Sequence, residues 1–406
     1  MEFTSKHLER YADVLLWGLS TARDGKFRRN DIVLIRFDRP ALELMEILYG
    51  KLLDRGWNAL ARMGLTATME RNFYDKAGPK QLVFIAPGDR ELMGNLNGSI
   101  YLHAPQSLTH LRHVDPKRIG KSLVARKPLR EIMEQREERG AFGWTLCTFP
   151  TESLAEHAGM TVGDYTEQIV KACYLDRDDP VGEWKEVYRR VSGIKKWLNG
   201  LEVESFRVRS ASMDLKITPG KKRKWIGISG HNIPSFEIFL SPDWRGTEGT
   251  YFANQPSYRS GNYVEGVRLT FRDGQAVEIE AEKGGDFVKQ QAAMDGGACR
   301  IGEFSLTDRR FSRIDRFMAD TLFDENYGGE FGNCHVALGS SYSDTYAGDP
   351  AALTKRIKKS LGFNDSALHW DLVNTERKTV TARLRSGKEI ALYEDGVFAV
   401  PGGGRS

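Results

Sequence analysis

The chain has 406 residues, 40% of them hydrophobic and 28% charged, and 59 basic against 55 acidic residues leave a formal net charge of +4. So even a balance gives no argument for nucleic-acid binding, and the length allows two or three domains with sizeable cores. No apolar run approaches a membrane span, and the opening MEFTSKHLERYADVLLWGLS lacks the basic start and unbroken apolar core of a signal peptide.

That opening reads as an amphipathic helix. From Asp31 to Pro150, short apolar runs alternate with helical patterns: DIVLIRF, a helix through PALELMEILYGKLLDRGWNALARMG, then QLVFIAP, GSIYLHA, a charged helix through PLREIMEQREERG, and GWTLCTF. This alternation predicts an α/β layered domain with a largely parallel sheet. Two helices follow, TVGDYTEQIVKACYL and PVGEWKEVYRRVSGIKKWLNG, the second opened by Asp179 before Pro180 and closed by Gly200.

Beyond Gly200 the pattern changes to hairpins, FRVRS with MDLKIT, and YVEGVRLTF with AVEIEA across an Asp273-Gly274 turn. The expected organisation is an N-terminal α/β domain over residues 1–190 and a strand-rich α+β domain over 191–406. The basic cluster GKKRKW, Gly220 to Trp225, reads as a solvated hairpin tip. The four cysteines, Cys147, Cys173, Cys299 and Cys334, have no CxxC spacing and fit buried, reduced thiols in a cytoplasmic protein.

The chemistry-bearing residues gather in the second half. His369 and Asp371 in SALHWDLV lie two apart, so on a strand they share a face while Leu368, Trp370 and Leu372 take the other. His335 in NCHVALG, Glu237 in NIPSFEIF, Glu303 in RIGEFSL and Glu325 in TLFDENYGG also sit in apolar surroundings, where a carboxylate needs a partner. Any one of them alone fits a satisfied core or edge position. Two histidines, an aspartate and several glutamates in one domain make a mixed oxygen and nitrogen metal site, and bridging carboxylates allow it to hold two ions.

The chain also resembles the thermophilic-type metalloaminopeptidases, the M29 peptidases often called leucyl aminopeptidase T or aminopeptidase S. The resemblance runs over nearly the whole length, through FGWTLCTFPTESLAEHAGMTVGDYTEQIVKACYLDRDDPVGEWKEVY, NIPSFEIFLSPDWRGTEG, the AEKG at Ala281, IGEFSL, TLFDEN, CHVALGSSY and NDSALHWDLV. It implies two divalent ions, zinc, cobalt or manganese, ligated by Glu237, Glu303, Glu325, His335, His369 and Asp371. Glu303 would be the bridge, and Tyr342 would stand near the reacting carbonyl. It also implies a homodimer acting on peptides with a free N-terminus; from charge and hydropathy, no nucleic acid or membrane partner is expected. Glu248 of the TEG motif is read as structural. The link from Glu325 to His335 is longer than the family's, which leaves Glu330 of that loop as another candidate carboxylate. The competing readings are a metal-dependent amidohydrolase of one small amide, and a non-catalytic paralogue.

Overall fold

The structure, a computed structural model, describes residues 2–401. Its first layer is a five-stranded parallel sheet in the order Asn58–Met63, Ile32–Phe37, Gly98–His103, Gly143–Thr148 and Asn232–Ile233. The N-terminal helix Ser5–Thr21 buries Leu8, Tyr11, Leu15 and Leu19 in the core beside this sheet, and the Tyr11 hydroxyl donates to the Thr148 carbonyl at 2.9 Å. The last strand is supplied from beyond residue 200, with Leu146 opposite Asn232. A segment of the strand-rich half therefore finishes the sheet of the other half.

Two expectations in this layer change. The helix expected to run to Gly64 ends at Asp54, because Gly56 takes a left-handed φ of +71° and stops it; Asn58–Met63 then pairs as an edge strand with Ile32–Phe37. QLVFIAP is not a strand. Pro79–Leu82 forms one helical turn, and Val83 and Phe84 are exposed at 40% and 63%, outside any sheet. The charged helix runs from Pro116 to Glu138, with Pro128 inside it. The helix Pro180–Asn199 is capped as expected, with the Gly182 amide donating to the Asp179 carboxylate at 2.8 Å.

The second half is built on two large antiparallel sheets, with a small two-stranded one of Ser257–Arg259 and Asn262–Val264. Eight strands are ordered Gln275–Glu280, Val267–Arg272, Glu248–Ala253, Asp214–Ile217, Val203–Arg209, Thr379–Leu384, Glu389–Glu394 and Val397–Phe398. Asp273 and Gly274, at φ +49° and +73°, make the expected hairpin turn, and the Glu248 carboxylate accepts from the Asp273 amide at 2.8 Å. That contact gives Glu248 its structural role. The four-stranded sheet, His369–Asn374, Asn333–Gly339, Ile301–Thr307 and Glu237–Leu240, packs an apolar face on the larger one: Phe304 lies 6.0 Å from Phe206 and 5.9 Å from Trp225, ring centre to ring centre.

GKKRKW is solvated only at Lys221 and Lys222, which are exposed at a turn. The Arg223 guanidinium lies 3.3 Å from the centre of the Phe363 ring and donates to the Ser241 and Leu361 carbonyls, so the second part of the cluster is pinned against the body of the protein by cation–π and hydrogen-bond contacts. The four cysteines are free thiols, three buried and Cys299 partly exposed. Among the described residues no helix is long and apolar enough to cross a membrane.

Phe304 has no exposed surface and joins the two sheets of the second half. Phe304→Ala should cost about 3–5 kcal/mol, while Phe304→Leu should retain most of the stability. Thermal and urea denaturation of the two variants will show the difference.

Candidate metal centre

The register of the four-stranded sheet decides which side chains meet. Glu303 lies opposite Ala337, which lies opposite Asp371; Ser305 is opposite His335, Thr307 opposite Glu237 and Gly339 opposite His369. Residues directly opposite across antiparallel strands share a face. Glu237, Glu303, His335, His369 and Asp371 therefore all project from one side. Ile238, Phe304, Leu306, Val336, Leu338 and Leu372 fill the other side, each no more than 1% exposed. A bulge at Gly302 shifts the register just before Glu303, and a Cβ there would come within 2.3 Å of the Ser340 carbonyl oxygen.

The donor atoms converge. His335 Nε2 is 3.1 Å from Glu303 Oε1, 3.3 Å from Glu237 Oε2 and 3.8 Å from Asp371 Oδ1. His369 Nε2 is 3.4 Å from Asp371 Oδ1 and 3.8 Å from the other Glu303 oxygen, Oε2. Glu303 thus offers one oxygen to each histidine. Glu237, Glu303 and His335 form a buried group whose donor atoms all lie within 4.8 Å of one another, the arrangement a cation requires. His335 Nδ1 is buried without a hydrogen-bond partner, whereas His369 Nδ1 is 2.9 Å from the Ser340 carbonyl, which turns Nε2 toward the cluster.

Glu325 lines the same cavity, but it comes from the end of the short helix Thr321–Asp324 instead of the sheet. Asn232 donates to its Oε1 at 3.0 Å. It stands beside the convergent group without being one of its three members. Glu330 is exposed on its loop and does not line the cavity, so the alternative carboxylate falls away. The Tyr342 ring packs edge-on against the His369 imidazole, ring centres 4.7 Å apart. Tyr342 is 36% exposed and lines the cavity; burial and then the negative charge of Glu303, Asp371 and Glu325 push its pKa well up, so it stays a proton donor.

Sequence reasoning missed Ser305, Asn232 and the Ser340 carbonyl, which orient the donors. Ser305 donates to Glu237 Oε2 at 2.9 Å. Its position two residues after Glu303 on a strand was the available signal. Asn232 and Ser340 carried none, since their contacts depend on how distant segments meet.

The electrostatics fit a cation. Burial, then the charge of Glu303, raises the Glu237 carboxyl to about 8, and burial raises Glu303 and Glu325 well above the carboxylate range. Burial works to lower His369, but the charge and hydrogen bond of Asp371 outweigh it and lift the imidazole to about 9. Burial likewise works to raise Asp371, and the His369 imidazolium brings it down to about 2. Without a cation, protons balance the site. A cation needs the ionised carboxylates and neutral imidazoles, so protons compete with it: affinity is full above the raised values and is lost as pH falls through them. Metal loading at pH 7 should release roughly two or more protons. Calorimetry in buffers of different ionisation enthalpy measures this, and no release would show that the cluster does not take the ion.

The centre lies in a cavity of about 1620 Å³ walled by both halves of the chain, with Glu134 and Glu137 of the helix Pro116–Glu138 in its lining along with Glu303, His369 and Tyr342. The family model for thermophilic metalloproteases, M29, matches residues 4–398. Aminopeptidase 2 of Geobacillus stearothermophilus is 29% identical over 321 residues, covering 73% of this chain and 75% of that protein. Aminopeptidase T of Thermus aquaticus is 27% identical over 309 residues, 71% and 74% of the two chains. The solved structure of wild-type AmpT from Thermus thermophilus superposes with a TM-score of 0.77 at 21% identity, over 97% of this chain and 99% of that one, which establishes the shared α/β fold. The match over almost the full length, together with the buried donor cluster, means that the chain belongs to the thermophilic metalloprotease family, M29, and is a metal-dependent peptide hydrolase.

Proposed function

We propose that the protein is an aminopeptidase that removes N-terminal residues from peptides, using two divalent ions, zinc, cobalt or manganese, held by Glu237, Glu303, Glu325, His335, His369 and Asp371. The observation that carries this reading is Glu303, whose two oxygens face two different histidines, with Glu237 on one side and Asp371 on the other. That disposition supports a carboxylate bridging two ions. The aminopeptidase names of the relatives support the exopeptidase reading. A mixed set of carboxylates and imidazoles favours zinc, cobalt or manganese over calcium.

A divalent ion bound there activates water near neutral pH and polarises the scissile carbonyl. The chain's own groups do the rest. The carboxylates balance the ions' charge. Tyr342, kept protonated, donates a hydrogen bond to the oxygen that becomes negative as the carbonyl carbon turns tetrahedral. Ser305, Asn232 and the Ser340 carbonyl hold Glu237, Glu325 and His369 in place, so little reorganisation accompanies the reaction. The walls of the cavity limit access to short or unfolded peptides. Leu60, Met63, Leu65, Met69, Val83 and Phe84, all exposed between residues 60 and 84, support a homodimer, since exposed apolar side chains in such number favour association. Four free thiols support a reducing, cytoplasmic setting.

Leucyl peptides with a free amine should be shortened one residue at a time from the N-terminus, and their N-acetylated forms should survive by roughly 10⁴-fold, because a polar site rejects analogues that lack its partner. Mass spectrometry of the products decides between this and the amidohydrolase reading, which equal cleavage of both would favour.

Glu303→Gln should cut turnover by several orders of magnitude, against roughly tenfold to a thousandfold for Tyr342→Phe. Chelation should abolish activity and leave the circular dichroism spectrum unchanged, because the apolar cores do not depend on the ions.

A further inference from the structure

The lysines on the cavity wall fall into two groups. Lys127, Lys355 and Lys358 are each paired, with Asp365 at 2.7 Å, Glu131 at 3.0 Å and Glu138 at 2.6 Å. These pairs tie the helix Pro116–Glu138 to the segment Lys355–Ser366. Lys195, Lys224 and Lys359 line the same cavity, and among the described residues none has a carboxylate within the 4.0 Å of an ion pair; Lys359 is exposed, whereas Lys195 and Lys224 are half-buried.

Lys195 projects from the last turns of the helix Pro180–Asn199. Its ammonium donates to the Gly227 carbonyl at 2.9 Å and lies 5.0 Å from the centre of the Tyr188 ring. An ammonium has three donors, so two remain. The Lys224 amide donates to the Thr345 carbonyl at 2.9 Å, which fastens this residue to the segment running on from Tyr342. The two lysines are close enough that burial, and then the charge of Lys224, lower the pKa of Lys195. Asp344 feels the charge of Lys224 but lies beyond ion-pair range. Two half-buried cations thus repel each other in the cavity that also holds the metal centre, and an anion placed between them would relieve both.

We infer that Lys195 and Lys224 form a carboxylate subsite on the cavity wall, which receives a carboxylate carried by the part of the peptide beyond the scissile bond. The inference rests on the aminopeptidase reading: with the free amine held at the metal centre, the rest of a short peptide extends into the cavity. There its C-terminal carboxylate, or an acidic side chain, is the group that two ammonium ions recognise. The enzyme then selects short peptides by charge as well as by the size of its opening.

The test compares metal-loaded enzyme on Leu-Gly-Gly, its C-terminal amide, and Leu-Gly-Glu amide. The free acid should exceed the Leu-Gly-Gly amide in kcat/KM by at least about tenfold, as expected of a charge-assisted contact. In Lys195→Gln/Lys224→Gln the ratio should collapse toward one. Recovery of the rate with Leu-Gly-Glu amide assigns the subsite to any carboxylate beyond the scissile bond, and no recovery assigns it to the C-terminus; both keep the subsite. Equal kcat/KM for acid and amide in the unmodified enzyme overturns it, whether or not the double variant folds, and so does an unchanged ratio in a folded variant. Failure to cleave any of the three would instead count against the aminopeptidase reading.

Discussion

Negative charge held on a dry surface is the constraint around which this molecule is arranged. Glu237, Glu303 and Glu325 are no more than 6% exposed, and Asp371 stands among them. Carboxylates so placed repel strongly and lose their hydration, a state that persists only with protons or cations to balance it. Protons, including the one on the His369 imidazole, supply that balance in the absence of a cation, and a bound metal cation would take their place. Three donors are tied down by neighbouring polar groups, and all but Glu325 stand on strands, so the repulsion cannot be relieved by side chains swinging away.

The sheet that bears the donors does two jobs with its two faces. One face is apolar and locked against the larger sheet through Phe304, Phe206 and Trp225. The other is polar and forms the floor of the cavity. Alternation along each strand makes this possible, and the bulge at Gly302 sets Glu303 at the height where it meets both histidines. Stability and chemistry are thus carried by alternating residues of the same strands, Glu303 beside Phe304, Asp371 beside Leu372.

Much of this was legible in the sequence because it follows from period and chemistry. His369 and Asp371 share a face, as two-residue spacing requires, and the capping at Asp179 and the Asp273-Gly274 turn are local rules obeyed locally. What could not be read depended on contacts between distant segments. NALARM looks helical until Gly56 interrupts it and an edge position becomes available beside Ile32–Phe37. QLVFIAP has the composition of a strand but has no partner strand. The basic run at Lys221 to Lys224 looked solvated because composition does not reveal that Phe363 receives Arg223. Glu325 was legible as a buried acid near the others, though not its anchorage by Asn232.

The strand Asn232–Ile233, which finishes the parallel sheet, has a consequence for how the chain is made. Until residue 233 has left the ribosome, the edge at Gly143–Thr148 waits without its neighbour, some 80 residues after it was synthesised. Glu237 follows that strand by four residues. Closing the parallel sheet therefore fixes where the strand Glu237–Leu240 begins before its partner strand, Ile301–Thr307, has been made, so the scaffold is complete while the sheet that carries the candidate donors is still to be assembled on it.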